Sequence, residues 1–210
     1  MLRFTDATGL FSAGVVCVAA VSAVPGLARV RKSYLALVLA ASAILAWMPL
    51  PTLPVAGYVR GLLGDLSTTT DLLLLCSLSR LLFGWGIDAR NRLALQILVA
   101  VGGLLLYPLS LGLDMSDPYR LGYGNPWFLI ALLGVALAGW SLRLHVVSAS
   151  VAAAVLAWGV GWHESRNLWD YLLDPMVCLY GLGGALVQAV KASRGIRRSP
   201  GGQDARSVPQ

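Results

Sequence analysis

Residues 163–175 read His-Glu-Ser-Arg-Asn-Leu-Trp-Asp-Tyr-Leu-Leu-Asp-Pro, and they stand between two apolar runs, about 146–162 and about 172–192. His163, Glu164, Arg166, Asp170 and Asp174 are packed into one short connection. Ionisable groups beside hydrocarbon-length runs are costly to place, so a cluster of this kind marks a site.

Working outward, the same alternation recurs along the whole chain. Further apolar runs cover about 9–27, 34–50, 71–85, 93–113 and 126–142. The 210 residues are 57% hydrophobic and 12% charged, with a mean hydropathy of +0.72. A soluble domain carries about 25% charged residues, so the deficit points to an all-α polytopic integral membrane helical bundle of about seven transmembrane helices. The leucine- and alanine-rich runs do not alternate as barrel strands do. The chain divides into a transmembrane domain, residues 1–192, and a basic disordered cytoplasmic tail, 193–210. Cys17, Cys76 and Cys178 lie far apart inside apolar runs and read as small buried hydrophobes.

The net charge of +6 does not imply nucleic acid, because the bases sit in short groups beside apolar runs. Assigning the connections alternately to two sides puts 12 of the 16 bases on one side, among them Arg29, Arg31, Lys32, Arg80, Arg90, Arg92, Arg143 and Lys191. The other side keeps Arg3, Arg60, Arg120 and Arg166, together with 8 of the 10 acids. The net charges are +10 and −4, and the positive side is cytoplasmic. The expected topology has the N-terminus outside, in the periplasm of a bacterium, and the C-terminus in the cytoplasm. Because Arg29, Arg31 and Lys32 follow the first run, that run reads as a retained helix, although Val21-Ser22-Ala23 is a tolerable signal-cleavage site.

The third run is too short between Asp71 and Trp85 to cross a bilayer, so its helix is expected to begin near Leu62–Asp65, with Asp65 available as its N-cap. The glycines Gly102, Gly103, Gly181, Gly183 and Gly184 read as close-packing positions, and Pro108 as a kink. Trp127, Trp162, Trp169 and Tyr171 read as an interfacial aromatic belt. Asp170 and Asp174, four apart, share one helix face if the last helix starts early.

Every long connection with mixed charge and aromatics falls on the outer side. Asp65, His163, Glu164 and Asp170 are the candidate acid–base groups there. Arg60, Asp71, Asp117, Tyr119, Arg120, Asn125, Arg166, Asn167, Trp169 and Asp174 are the candidate ligand- or partner-binding residues. No metal is expected, since His163-Glu164 lacks the second histidine of His-Glu-x-x-His, and no cofactor motif occurs. Ser67 or Thr68–Thr70 could meet His163 across helices as a nucleophile and base, but no Gly-x-Ser-x-Gly elbow is present. Gly122-Tyr123-Gly124 follows Arg120 and reads as a turn rather than a cation filter. Lys191 falls at a helix end, unlike a mid-membrane Schiff-base lysine.

The expected protein is a small bacterial inner-membrane, multi-pass protein with a periplasm-facing polar and aromatic site. Its expected role is accessory or partner-docking, in biogenesis of envelope lipid or lipid-linked glycan. Membrane lipids and a periplasmic or inner-membrane protein are the expected partners. A membrane-embedded hydrolase or transferase acting on a lipid or lipid-linked substrate is the alternative, and a small transporter the third.

Overall fold

The computed structural model describes residues 4–113 and 117–197. Arg3, Asp114, Arg198, Asp204 and Arg206 of the charge count lie outside the described residues, as does the tail from 198 onward. The described chain is all-α, with no strand. Its helices are α1 (Phe4–Ser22), α2 (Lys32–Trp47), α3 (Val55–Leu63), α4 (Thr68–Phe83), α5 (Ala89–Pro108), α6 (Pro126–Ser141), α7 (His145–Gly159), α8 (Trp169–Leu172) and α9 (Pro175–Arg197). Two helical stretches, Phe4–Ser22 and Ala89–Leu111, are long and apolar enough to cross a membrane, and four shorter apolar helices accompany them.

The third apolar run breaks where one helix was expected. Gly64 adopts φ +74, a left-handed conformation that a side chain disfavours, and it ends α3 as a separate helix. Ser67, not Asp65, caps α4: its backbone is extended and its hydroxyl accepts from the Thr70 amide. The last helix starts later than expected. Leu173 is extended, so α8 ends there and α9 begins at Pro175, a residue suited to a first helical turn. Asp170 and Asp174 therefore sit on different elements rather than on one face. At Pro108 the chain stays helical and widens into a π turn, Leu109–Leu113, which accommodates a residue with no amide to donate.

Packing follows the small residues. The closest seam joins α5 to α9. A Cβ at Gly181 would meet the Gln96 carbonyl oxygen at 2.7 Å and the Ala100 nitrogen at 3.0 Å, so backbone lies against backbone there. Gly184 makes room for the Gln96 side chain and Gly103 for the Cys178 thiol. Gly183, expected on the same face, has nothing within 4 Å. On the other side of the bundle Trp47 of α2 lies over Gly14 of α1. The core joins Leu95 and Val99 of α5, Val147, Val151 and Ala154 of α7, Tyr171 of α8 and Val177 of α9.

One end of the bundle gathers the α4–α5 and α6–α7 turns. Asp88 caps α5, and Asn91 donates to the Arg143 carbonyl at 3.3 Å while accepting from the Val146 amide at 3.0 Å. The opposite end gathers the start of α1, the α3–α4 link and residues 117–125 and 160–174.

The α5–α9 seam gives a sharp expectation. Gly181→Ala should destabilise the protein by roughly 1–3 kcal/mol through overpacking, read as a lower unfolding midpoint in detergent. Gly183→Ala should leave that midpoint unchanged.

Candidate functional site

Three polar networks meet at the second end of the bundle. The first is built around Arg60 on α3. Its Nε donates to Asp65 at 2.7 Å, Nη1 to Asp6 on α1 at 3.3 Å, and Nη2 to Glu164 beyond α7 at 3.1 Å. Gly9 of α1 lets the guanidinium lie flat, since a Cβ there would sit 2.2 Å from its Nε. These carboxylates hold the guanidinium firmly protonated.

The second network is centred on Asp174. Its Oδ1 accepts from the Val177 amide at 2.8 Å and so caps α9. Its Oδ2 accepts from the Ser67 amide at 2.8 Å and the Thr70 hydroxyl at 2.6 Å, at the start of α4. One buried carboxylate thus serves two helix N-termini, where unsatisfied amides and the helix dipoles both favour a negative charge. Beside it, the Asp71 Oδ2 accepts from Ser12 of α1 at 2.6 Å, while its Oδ1 and the Thr68 hydroxyl are buried without a partner among the described residues.

The third network folds the connection between α7 and α9. Tyr171, fully buried, accepts from the His163 amide at 3.1 Å and donates to the Ser165 carbonyl at 3.0 Å. It is therefore core rather than part of an aromatic belt. Asp170 accepts from the Tyr119 hydroxyl at 2.9 Å and from Ser165; burial and the neighbouring carboxylate push the Tyr119 phenol up. Asn167 is also fully buried. Its Nδ2 donates to the Tyr119 carbonyl at 2.8 Å and its Oδ1 accepts from the Trp169 amide at 3.0 Å. The Trp169 indole donates to the Pro118 carbonyl at 3.0 Å, and the Leu168 amide to Gly122 at 2.8 Å. Asp117 and Asn125 cap the turn Pro118–Gly122 and α6, respectively. The α1 residue Thr8 donates to the Trp162 carbonyl.

These networks bring together Arg60, Asp65 and Glu164, then Tyr119, Asn167, Trp169 and Asp170, and separately Asp174 with the α4 N-terminus. Asp71 turns to α1. Arg120 and Arg166 are exposed and make no ion pair among the described residues. Sequence reasoning missed Ser12, Thr8, Ser165 and Gly122. For these, the sequence signal is Thr8 and Ser12 standing four apart on an apolar helix.

His163 is the anomaly. It is 4% exposed, stacks on Tyr171 at 4.5 Å, and neither ring nitrogen has a hydrogen-bond partner among the described residues. Burial pushes its pKa down, against the pull of Asp65 and Asp170. It belongs to the wall of a cleft of about 440 Å³ with Thr5, Trp158, Glu164, Ser165, Arg166 and Tyr171. No hydroxyl of residues 67–70 bonds to it, and no three His, Cys, Asp or Glu side chains gather as a metal site among the described residues.

Two measurements test this anatomy. Arg60→Gln should cost about 1–2 kcal/mol, because three part-exposed carboxylates lose their partner, whereas Arg166→Gln should stay within about 0.5 kcal/mol. For His163, the folded pKa lies below the unfolded value of about 6.5, so its neutral form contributes stability above that pH that is lost as pH falls below it. His163→Phe, which keeps the ring contact with Tyr171, should flatten the fall in unfolding midpoint on acidification relative to the parent chain.

Comparison with protein families, with curated proteins and with solved structures finds no match to this chain.

Proposed function

We propose that this protein is a seven-span inner-membrane protein of bacteria that docks a component of envelope lipid or lipid-linked glycan biogenesis on its periplasmic face. The membrane reading is supported by what the helices expose. On α6, Trp127, Ile130, Leu133, Leu137 and Trp140 are all more than half exposed, while Leu132 and Gly139 are buried. A helix apolar on every side and yet uncovered suits a hydrocarbon solvent. In this reading α1, α2, α4, α5, α6, α7 and α9 are the spans, and α3 lies at the outer interface.

Helices of fifteen or sixteen residues reach only about 24 Å, short of the roughly 30 Å hydrocarbon layer. The hydrogen-bonded knot at the outer end supports the difference, because irregular backbone is tolerated at membrane depth where it is packed in protein. Local thinning accommodates the remainder. The charge asymmetry agrees: the turns at the Asn91 end carry Arg90, Arg92 and Arg143 against Asp88 alone, and the knot carries the other acids of the described residues.

One observation carries the docking reading. Most of the outer carboxylates are occupied by structural partners, Asp65 and Glu164 by Arg60, Asp174 by two helix starts, Asp117 by its own turn and Asp170 by Tyr119 and Ser165. What stays open at the rim is Arg120 and Arg166 with exposed Tyr123 and Trp127. Guanidinium groups and aromatics are suited to an anionic headgroup, a glycan or a protein surface. An enzyme acting on a lipid-linked substrate is the second reading, favoured by the unpartnered His163 ring and Asp71 Oδ1.

Impermeant maleimide should label Tyr123→Cys and Arg166→Cys in intact spheroplasts, and Arg90→Cys only after permeabilisation. Labelling of Arg90→Cys and Arg166→Cys from the same side would defeat the topology. A photo-crosslinking residue at Tyr123 should trap an envelope component in cells, and Arg120→Gln with Arg166→Gln should reduce the yield several-fold. An unchanged yield would count against docking through these arginines.

A further inference from the structure

Helices α5 and α6 are consecutive, yet they make almost no direct contact: α5 packs on α9 and α6 on α7. Between them lies an apolar groove of about 240 Å³. Buried Leu95, Val99, Leu132 and Val151 line it, and Val101 and Leu105, 50% and 57% exposed, also border it, so it opens to the outside of the bundle. Its volume is below the roughly 300–1,000 Å³ of whole small-molecule pockets and suits a single hydrocarbon chain.

The direction of the groove is informative. α5 runs toward the knotted end and α6 away from it, so Leu105 and Phe128 lie near the rim, and Leu95, Leu98 and Val135 lie deeper. From residue 95 to 105 the groove follows α5 for about 15 Å, half of a roughly 30 Å hydrocarbon layer. Trp169 stands at the rim end. Its indole is tied to the Pro118 carbonyl and its ring packs on Phe128 at 4.5 Å. Arg120 is exposed on that same turn, Pro118–Gly122, with no ion pair among the described residues.

We propose that the α5–α6 groove holds one acyl chain of an outer-leaflet phospholipid, with its anionic headgroup at Arg120. This rests on the membrane reading and assigns a ligand class to its outer rim. The groove is one leaflet deep, apolar throughout its lining apart from hydroxyls such as that of Ser150, which is already bonded to the Val146 carbonyl, and has a cation on the turn above its rim end.

The test uses the full chain in phosphatidylcholine vesicles containing phosphatidylglycerol with a diazirine in one acyl chain, and maps adducts by mass spectrometry. Adducts should concentrate on Val101, Leu105, Ala131 and Val135. Ala131→Phe fills the mouth from an exposed position and should cut those adducts several-fold while leaving adducts on Leu137 and Leu156 unchanged. Arg120→Gln should remove the preference for the phosphatidylglycerol probe over a phosphatidylcholine probe with the same chain. Adducts spread evenly over the exposed helix faces, or insensitive to Ala131→Phe, would overturn the groove proposal and leave the membrane reading intact. Adducts confined to the groove but blind to Arg120→Gln would overturn the headgroup assignment. Failure of the chain to enter vesicles, with no adducts anywhere, would overturn both readings together.

Discussion

A buried carboxylate between two helix starts sets the geometry of one end of the bundle. Asp174 takes amide donors from α4 and α9 at once, and each helix would otherwise present orphan N–H groups to a poorly hydrated interior. The cost of stranding either component is large, because an unpaired buried charge is much worse than an unpaired surface one. This couples helices distant in sequence, and it also fixes where α8 must end. The extended Leu173 lets the carboxylate turn toward Ser67, and α8 cannot run on into α9 without moving it.

Around that joint the structure sorts its polar groups by how much freedom they keep. Asn167 and Tyr171 are fully enclosed and bonded; Asn167 holds the 163–173 connection against the turn at 118–122, and Tyr171 closes that connection on itself. Arg60 sits at the edge and ties α1, α3 and the segment after α7 together. Arg120 and Arg166 have no comparable task among the described residues. Binding sites are found where rigid elements support groups left uncommitted, and that contrast is the physical ground for reading the rim as a docking face. His163 is different again: its partnerless nitrogens are a local cost that packing against Tyr171 does not remove.

The apolar side of the molecule is organised by glycine. Gly181 allows α9 to press on α5 with backbone in contact, a close approach that needs no polar interaction. As α5 is drawn to α9, and α6 to α7, the space between α5 and α6 stays open. The groove is thus a consequence of tight packing elsewhere.

The helical class was legible from the apolar runs alone, because run length and composition are one-dimensional properties. That Arg60, Asp65, Glu164 and Asp170 lie at one end of the bundle was also legible, since alternating connections assign each residue to an end. Local breaks were not: a Gly64 at positive φ and an extended Leu173 depend on what Arg60 and Asp174 bond to across the bundle. Nor could spacing reveal that Tyr171 is buried, that Gly183 faces open space while Gly181 does not, or which arginines are left without partners. Sequence by itself determined which residues lie at which end of the helices, through hydropathy and charge. Only the tertiary structure decided which of them are spent on holding the helices together, because hydrogen-bond partnership depends on distances between segments a hundred residues apart.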